Sequence, residues 1–445
     1  MKLFYLILYA VILCGITIYV IIKRRNKTYC VFWMIYAISS IFCVINKVFQ
    51  KQIHGQGIML SIWYDLSDTT LLGYLLIIVC CAIAFKPIRL FDPAIDEKYR
   101  YHRTNVVRKE LSRLYAYMYI SLFLIFLIVC FQTVLNVLNI SDFALQRTAL
   151  YDKSENETSA TITNIFIGNI CFKLCVKFRV LSVFVAFSML KTQYKKGLAI
   201  TLLVITSVLY YIYSSWNAAR GGLVLYFICI ILIGLYYIRY LNKSTKRKII
   251  VLSSISAIIL VLFFISVTIS RFSNETNKNF SVISNVCFYL GHGPIQFSKI
   301  TGSLTDFAWG KTVIGRLISN YFGTNYSWET IQSSIGYPPI GPVFVTYLGY
   351  IYTDFGVVSC LLFTWAWATF VTRTVKKYPN RLSTYYLLGY YINFYVLGVF
   401  VVGRLEYVAV ISTHVFYFIF RLIENAMLQR TVKNSYMESI PHARY

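Results

Sequence analysis

The sequence predicts an all-α polytopic membrane protein of about 11 transmembrane helices, with one long outer loop carrying short helices of its own. Three observations predict it: an excess of apolar residues over charge, apolar blocks as long as a bilayer is thick, and cations gathered in alternate loops. Of 445 residues, 58% are hydrophobic, 18% aromatic and 13% charged, whereas a soluble globular chain is about 45–50% apolar and about 25% charged. Mean hydropathy is +0.62. That balance excludes an ordinary cytosolic enzyme, a disordered tail protein and a fibrous repeat.

The apolar blocks have the length a helix needs to cross the hydrocarbon core. They lie at roughly 3–22, 28–49, 67–85, 115–138, 164–190, 197–213, 221–238, 249–269, 354–372, 383–402 and 407–422. The first, MKLFYLILYAVILCGITIYVIIKRR, carries its charges after the apolar run and has no small-residue cleavage site, so it reads as a retained span, not a signal peptide. Lysine and arginine number 43 against 17 acids, a formal net charge of +26. Such a balance suggests nucleic acid, but the cations sit in the short connections between blocks, and no nucleic-acid partner is expected.

Cations kept on the cytoplasmic side explain the pattern. They cluster at Lys23, Arg24, Arg25 and Lys27, between Lys86 and Arg113, at Lys191–Lys196, Arg239–Lys248 and Arg373–Arg381, and from Arg421 onward. The N-terminus is then outside and the C-terminus inside. The chain divides into eight helices over 1–269, a long outer loop over 270–353, three helices over 354–422 and an inside tail over 423–445. The inside stretch FDPAIDEKYRYHRTNVVRKELSRLY is an orientation signal or a surface helix against anionic lipid.

Two outer segments are long. Residues 139–163 are polar and mildly acidic. Residues 270–353 contain VISNVCFYLGHGPIQFSKI, FAWGKTVIGRLISNYFG and YPPIGPVFVTYLGYIYTDFG, aromatic stretches punctuated by Gly and Pro that predict short interfacial or re-entrant helices. A loop so long with structure of its own is usually functional. The 11 cysteines show no CxxC or Cys/His spacing, so neither disulfides nor zinc is expected. P-loop, GxGxxG, GxSxG and HExxH signatures are missing, and no cofactor is predicted.

What the chain offers instead is cations at membrane depth and a polar outer face. In YYIYSSWNAARGGLVLYFICII, Arg220 with Gly221 and Gly222 opens a helix at the outer surface. Amide hydrogens and a guanidinium there suit a phosphate or pyrophosphate, and the alternative is an interfacial arginine reaching to water. Lys173, Lys177 and Arg179 lie inside NIFIGNICFKLCVKFRVLSVFVAFSML, with Lys173 and Lys177 on one helical face. Each cation at the bilayer centre costs about 2.5–3.5 kcal/mol unless it lines a wet cavity or meets an anion. The alternative is a span that starts later, with both lysines snorkelling outward.

Arg271 begins the long loop, Arg316 lies within it, and Arg404 with Glu406 forms the turn VVGRLEYV. These arginines are candidate pyrophosphate ligands, although Arg404 and Glu406 also suit a plain surface pair. Outer proton acceptors are few: His292 in YLGHGPIQF and Asp354 in YIYTDFG, with Glu329 and Glu406 behind them. Asp354 directly precedes a predicted span and equally suits a helix N-cap. Asp65 and Asp68 in SIWYDLSD are a weaker candidate for a metal pair.

The stretch PPIGPVFVTYLGYIYTDFGVVSCLLF, a polar-aromatic run, Asp-Phe-Gly and then a span, resembles the oligosaccharide repeat-unit polymerases (the Wzy-type O-antigen polymerases). The upstream AARGGLVLYF resembles their small-residue/Arg/Gly motif at an outer helix start. The two stretches occur in the expected order, and the multi-span layout covers nearly the whole chain. The resemblance implies a metal-independent glycosyltransferase of the bacterial inner membrane. Such an enzyme joins O-antigen or capsule repeats carried on undecaprenyl pyrophosphate at the periplasmic face. It would transfer the growing glycan to the non-reducing sugar of the next lipid-linked repeat, with the bilayer, a flippase and chain-length regulators as partners.

Arg220 matches the first motif, and Asp354 with Gly356 the second. Arg271, Arg316, Arg404, Lys173 and Lys177 rest on the residues alone. The related ligases carry His-Asn where this chain reads GHGPIQF, which puts His292 as base in doubt. Fixed cations suit the leaving pyrophosphate, and a neighbouring His or carboxylate suits the acceptor's proton. Trp309, Tyr321, Tyr326, Trp328 and Tyr337 suit sugar faces. A lipid-linked oligosaccharide flippase is the rival reading, but no pseudo-symmetric halves are visible. A metal-dependent glycosyltransferase using Asp65 and Asp68 is another.

Overall fold

The computed structural model describes residues 1–23, 26–50, 65–93, 102–138, 166–216, 220–251, 290–312, 328–336, 346–400 and 405–438, with isolated positions besides. Among them the protein is helical, with no strand. Among the described residues, six helices are long and apolar enough to cross a membrane: Lys2–Ile22, Lys27–Val48, Leu71–Leu90, Arg108–Val129, Lys196–Ser215 and Gly349–Lys377. Each overlaps a predicted span. Of the predicted span at 249–269, residues 252–253, 255–257, 259–261 and 263–269 lie outside the described residues. The chain forms two compact units, each assembled from three separate stretches of sequence.

The first unit comprises Met1–Phe91, Glu275–Lys376 and Tyr391–Ser412. Its helices α1 (Lys2–Ile22) and α2 (Lys27–Val48) form a hairpin, and Asn26 starts α2 by accepting the Thr28 amide at 3.0 Å. Thr70 caps α3 (Leu71–Ala84) through the Gly73 amide, and Pro87 stands near the start of α4 (Lys86–Leu90), where its missing N–H is tolerated. Along α1, Phe4, Val11 and Ile18 recur every seven residues and are all more than half exposed, an apolar stripe suited to lipid. The core is aromatic: Phe32, Trp33 and Tyr36 surround Phe85, with ring centroids 5.1–5.2 Å from it.

The second unit comprises Asp92–Asn274, Lys377–Tyr390 and Thr413–Tyr445. It contains α5 (His102–Val129), α6 (Phe131–Leu138), α7 (Phe166–Lys191), α8 (Lys196–Trp216) and α9 (Arg220–Tyr237). Every residue of α7 from Val180 to Leu190 is buried, so this helix is the unit's core. Tyr115 pins α5 to it by donating to the Phe178 carbonyl at 3.0 Å, and Tyr210 of α8 stacks on Tyr226 of α9 at 4.4 Å.

Two elements of the predicted long loop are helical, α10 (Gly293–Ser303) and α11 (Trp328–Ser334). Of the short interfacial or re-entrant helices expected there, α10 is a buried one: Gly293 through Ile300 are all buried within the first unit. Glycines let it in. A Cβ on Gly73 would stand 2.7 Å from the Ser298 Cα, and one on Gly302 would stand 1.9 Å from the Asp68 carbonyl oxygen. Ser298 then accepts the Thr70 amide at 2.9 Å and donates to the Thr70 carbonyl at 2.8 Å.

The remaining helices are α12 (Gly349–Lys377), α13 (Leu382–Phe400) and α14 (Leu405–Glu438). Helix α14 runs well past the predicted end of the last span at 422, so the tail predicted to lie inside begins as helix.

Candidate functional site

The reading of Asp354 as the N-cap of a span is corrected. Helix α12 begins at Gly349, passes through Asp354 and breaks at Gly356, whose φ of 74° and ψ of −158° belong to no helix. Only glycine adopts that backbone without strain, and a Cβ there would also meet the Phe307 ring at 2.8 Å. Ser359 repairs the break by donating to the carbonyls of Ile351 at 3.1 Å and Gly356 at 2.8 Å.

A turn of the outer segment sits on this break. The amides of Ala308 and Trp309 donate to the carbonyls of Thr353 and Asp354 at 2.9 and 3.1 Å. The Asp354 carboxylate is fully buried and accepts the Thr312 amide at 3.0 Å, while the Thr312 hydroxyl donates to the Tyr350 carbonyl at 3.2 Å. Trp309 adopts φ of 51°, left-handed for a bulky residue, yet its side chain is 67% exposed. Strain of this kind persists only where the surroundings enforce it, and it gathers at functional sites. Phe307 and Phe355 flank the indole, with centroids 6.2 and 6.5 Å away.

Behind the turn lies α10, joined to the first half of α12 through Phe297 and Tyr352 at 5.7 Å. His292 precedes α10, and His292, Gln296 and Lys299 fall at i, i+4 and i+7, one helical face. All three are buried, Lys299 at 4% exposure. Burial holds the Lys299 ammonium below its usual range, Asp65 and Asp68 push it back up, and Lys47 opposes them. Asp65 itself is held low, chiefly by the Ser67 hydroxyl donating to it at 2.7 Å. The first unit therefore holds a buried cation within the electrostatic reach of Asp65 and Asp68, and an exposed aromatic platform at Trp309.

Lys299 escaped the sequence reading, although its spacing from His292 and Gln296 was visible there. Lys47 was likewise passed over.

In the second unit, Lys173 is exposed on α7, whose first residue is Phe166. Lys177 is half-buried, donates to the Thr413 hydroxyl at 3.3 Å and lies 5.1 Å from the Tyr390 ring centroid. Arg179 donates to the Val176 carbonyl at 2.7 Å and sits 4.9 Å from the Tyr210 ring. Arg220 is the first residue of α9, the predicted helix start, and Glu406 lies in the first turn of α14. Arg271, Arg316 and Arg404 lie outside the described residues.

All 11 cysteines are free thiols. Among the described residues no cluster of three or more His, Cys, Asp or Glu side chains is arranged for a metal. No protein-family model, curated protein or solved structure matches the chain.

Proposed function

We propose that this protein is a membrane-embedded glycosyltransferase that polymerises oligosaccharide repeat units carried on undecaprenyl pyrophosphate at the periplasmic face. One observation carries the reading: a strained, exposed Trp309 pinned to the helix break at Asp354–Gly356. An indole held open to solvent beside buried polar groups is a platform for a sugar ring.

In the reaction the acceptor hydroxyl attacks the anomeric carbon of the growing glycan. The new C–O bond forms as the bond to the pyrophosphate oxygen breaks, and negative charge builds on that oxygen. A fixed ammonium such as Lys299 stabilises it, as do guanidinium groups, and losing one such donor typically costs about 3–4 kcal/mol of barrier. An imidazole or carboxylate of the same unit, His292, Asp354 or Glu406, takes the hydroxyl proton. Asp354 also holds the turn through the Thr312 amide, which makes it a positioning residue for Trp309.

The test supplies purified protein with lipid-linked repeat units and resolves products by length. A ladder is expected. Lys299→Met lowers kcat by roughly 100- to 1,000-fold, while Trp309→Ala raises KM by roughly tenfold with a smaller effect on kcat. Arg220→Ala, in the second unit, abolishes the ladder if the resemblance to the polymerases holds. Transbilayer movement of unpolymerised units with no ladder would establish the flippase reading instead.

A further inference from the structure

A second cluster of cations lies in the second unit, where the connection after α12 meets α14. The guanidinium carbons of Arg381 and Arg421 each lie 4.4 Å from the Tyr378 ring centroid, and the Lys377 ammonium lies 5.4 Å from it. Three positive charges thus share one ring. Neutral acceptors fix the two arginines. Arg421 donates to the hydroxyls of Tyr417 at 2.8 Å and Tyr378 at 2.9 Å, and Arg381 donates to the Asn425 side-chain oxygen at 2.7 Å. These bonds occupy two of the five N–H donors of Arg421 and one of those of Arg381.

The carboxylate at hand is already committed. Glu424 is buried and accepts the amides of Leu382 and Ser383, together with the Ser383 hydroxyl at 2.6 Å, so it caps α13. Glu424 also feels the Arg381 charge, so one carboxylate answers three cations, and charges of one sign held this close repel unless a further anion joins them. The phenol registers the excess: burial pulls Tyr378 upward, yet the hydrogen bond from Lys377 and the Arg421 and Arg381 charges hold it below its ordinary value.

What flanks the cluster identifies the anion. On α14, Val415, Phe418 and Leu422 lie at i, i+3 and i+7 and are all more than half exposed, so an apolar stripe runs up to Arg421. Tyr378 and Arg381 follow directly on the end of the apolar helix Gly349–Lys377. The positive-inside rule puts that end on the cytoplasmic side. Cations at a span end beside exposed apolar side chains suit a molecule with a phosphate at one end and acyl chains at the other. We infer that Lys377, Arg381 and Arg421 around Tyr378 form a binding site for the phosphate of an anionic phospholipid in the cytoplasmic leaflet. The guanidinium forks grip its oxygens, and the α14 stripe receives its chains.

The test titrates the full chain in neutral detergent micelles with phosphatidylglycerol, phosphatidylcholine or inorganic phosphate and follows the thermal unfolding midpoint. Phosphatidylglycerol is expected to raise the midpoint saturably, and the other two to leave it unchanged. The double variant Arg381→Gln/Arg421→Gln should weaken the phosphatidylglycerol response at least about tenfold, while a charge-matched control, Lys243→Gln/Lys246→Gln, keeps it. Should the double variant fail to fold, Lys377→Gln, whose side chain is exposed, is expected to weaken the response by roughly threefold to fivefold. An unchanged response in the variant that folds overturns the site. A midpoint raised equally by inorganic phosphate overturns the lipid assignment.

Discussion

Glu424 shows how much one buried carboxylate can organise. It lies just past the predicted end of the last span and serves the first amides of another helix, where unsatisfied N–H groups favour an anion. Burial raises its pKa above the ordinary 4.5, while the Ser383 hydroxyl, the Leu382 amide and Arg381 pull the other way. An acid raised on folding binds its proton more tightly in the folded state. Its contribution to stability is therefore full below the unfolded value and lost as pH rises through the folded one. The thermal midpoint of the wild type, measured against Glu424→Gln, should fall as pH rises from 4.5 through the raised value and then level off. A difference that is flat across this range would contradict the assignment. Nothing in the local sequence RLIENAM announces this role, because the partner amides lie some 40 positions away in the chain.

At the scale of elements, α10 decides the architecture of the first unit. A short polar helix enters an apolar core because Gly73 and Gly302 remove the side chains that would hold backbones apart, and Ser298 satisfies Thr70 at the contact. Gly302→Ala should lower stability by about 1–3 kcal/mol, since its Cβ meets backbone that cannot swing aside. Gly15→Ala on α1 meets nothing within 4 Å and should be neutral or stabilising by at most about 1 kcal/mol. Thermal midpoints in one detergent compare the two directly. Equal midpoints would show that α10 does not depend on the close approach. The composition of GHGPIQFSKITGS suggested a helix, but small residues in a loop and small residues at a helix contact look the same in one dimension.

For the whole molecule, the alternation of apolar blocks and basic connections anticipated most of the helices. Residues 164–190 are the instructive case. Helix α7 has the length of a span and a largely buried second half, yet Lys173, Lys177 and Arg179, in its first half and at its middle, keep it apart from the six clearly apolar helices. Tyr390, Thr413 and Tyr210 meet Lys177 and Arg179 there, so the cost of placing charge in an apolar helix is offset by partners from distant sequence. The orientation is open to a direct check. With a protease site placed before Met1 and another after Tyr445, protease added outside inner-membrane spheroplasts should cut only the first, and only inverted vesicles should expose the second. The reverse pattern would turn the topology over, and the periplasmic reaction with it.

Local composition and periodicity determined that this chain is helical and apolar, where most of its apolar blocks lie, and which connections hold the cations. These follow from the solvent preference of each short segment, which sequence records directly. The burial of α10, the break at Gly356 beneath an exposed Trp309, the approach of Lys299 to Asp65 and Asp68 and the arginines gathered on Tyr378 were decided by tertiary structure alone. Each depends on groups far apart in sequence meeting within a few ångströms, and that distance is set by packing and not by any one segment's preference.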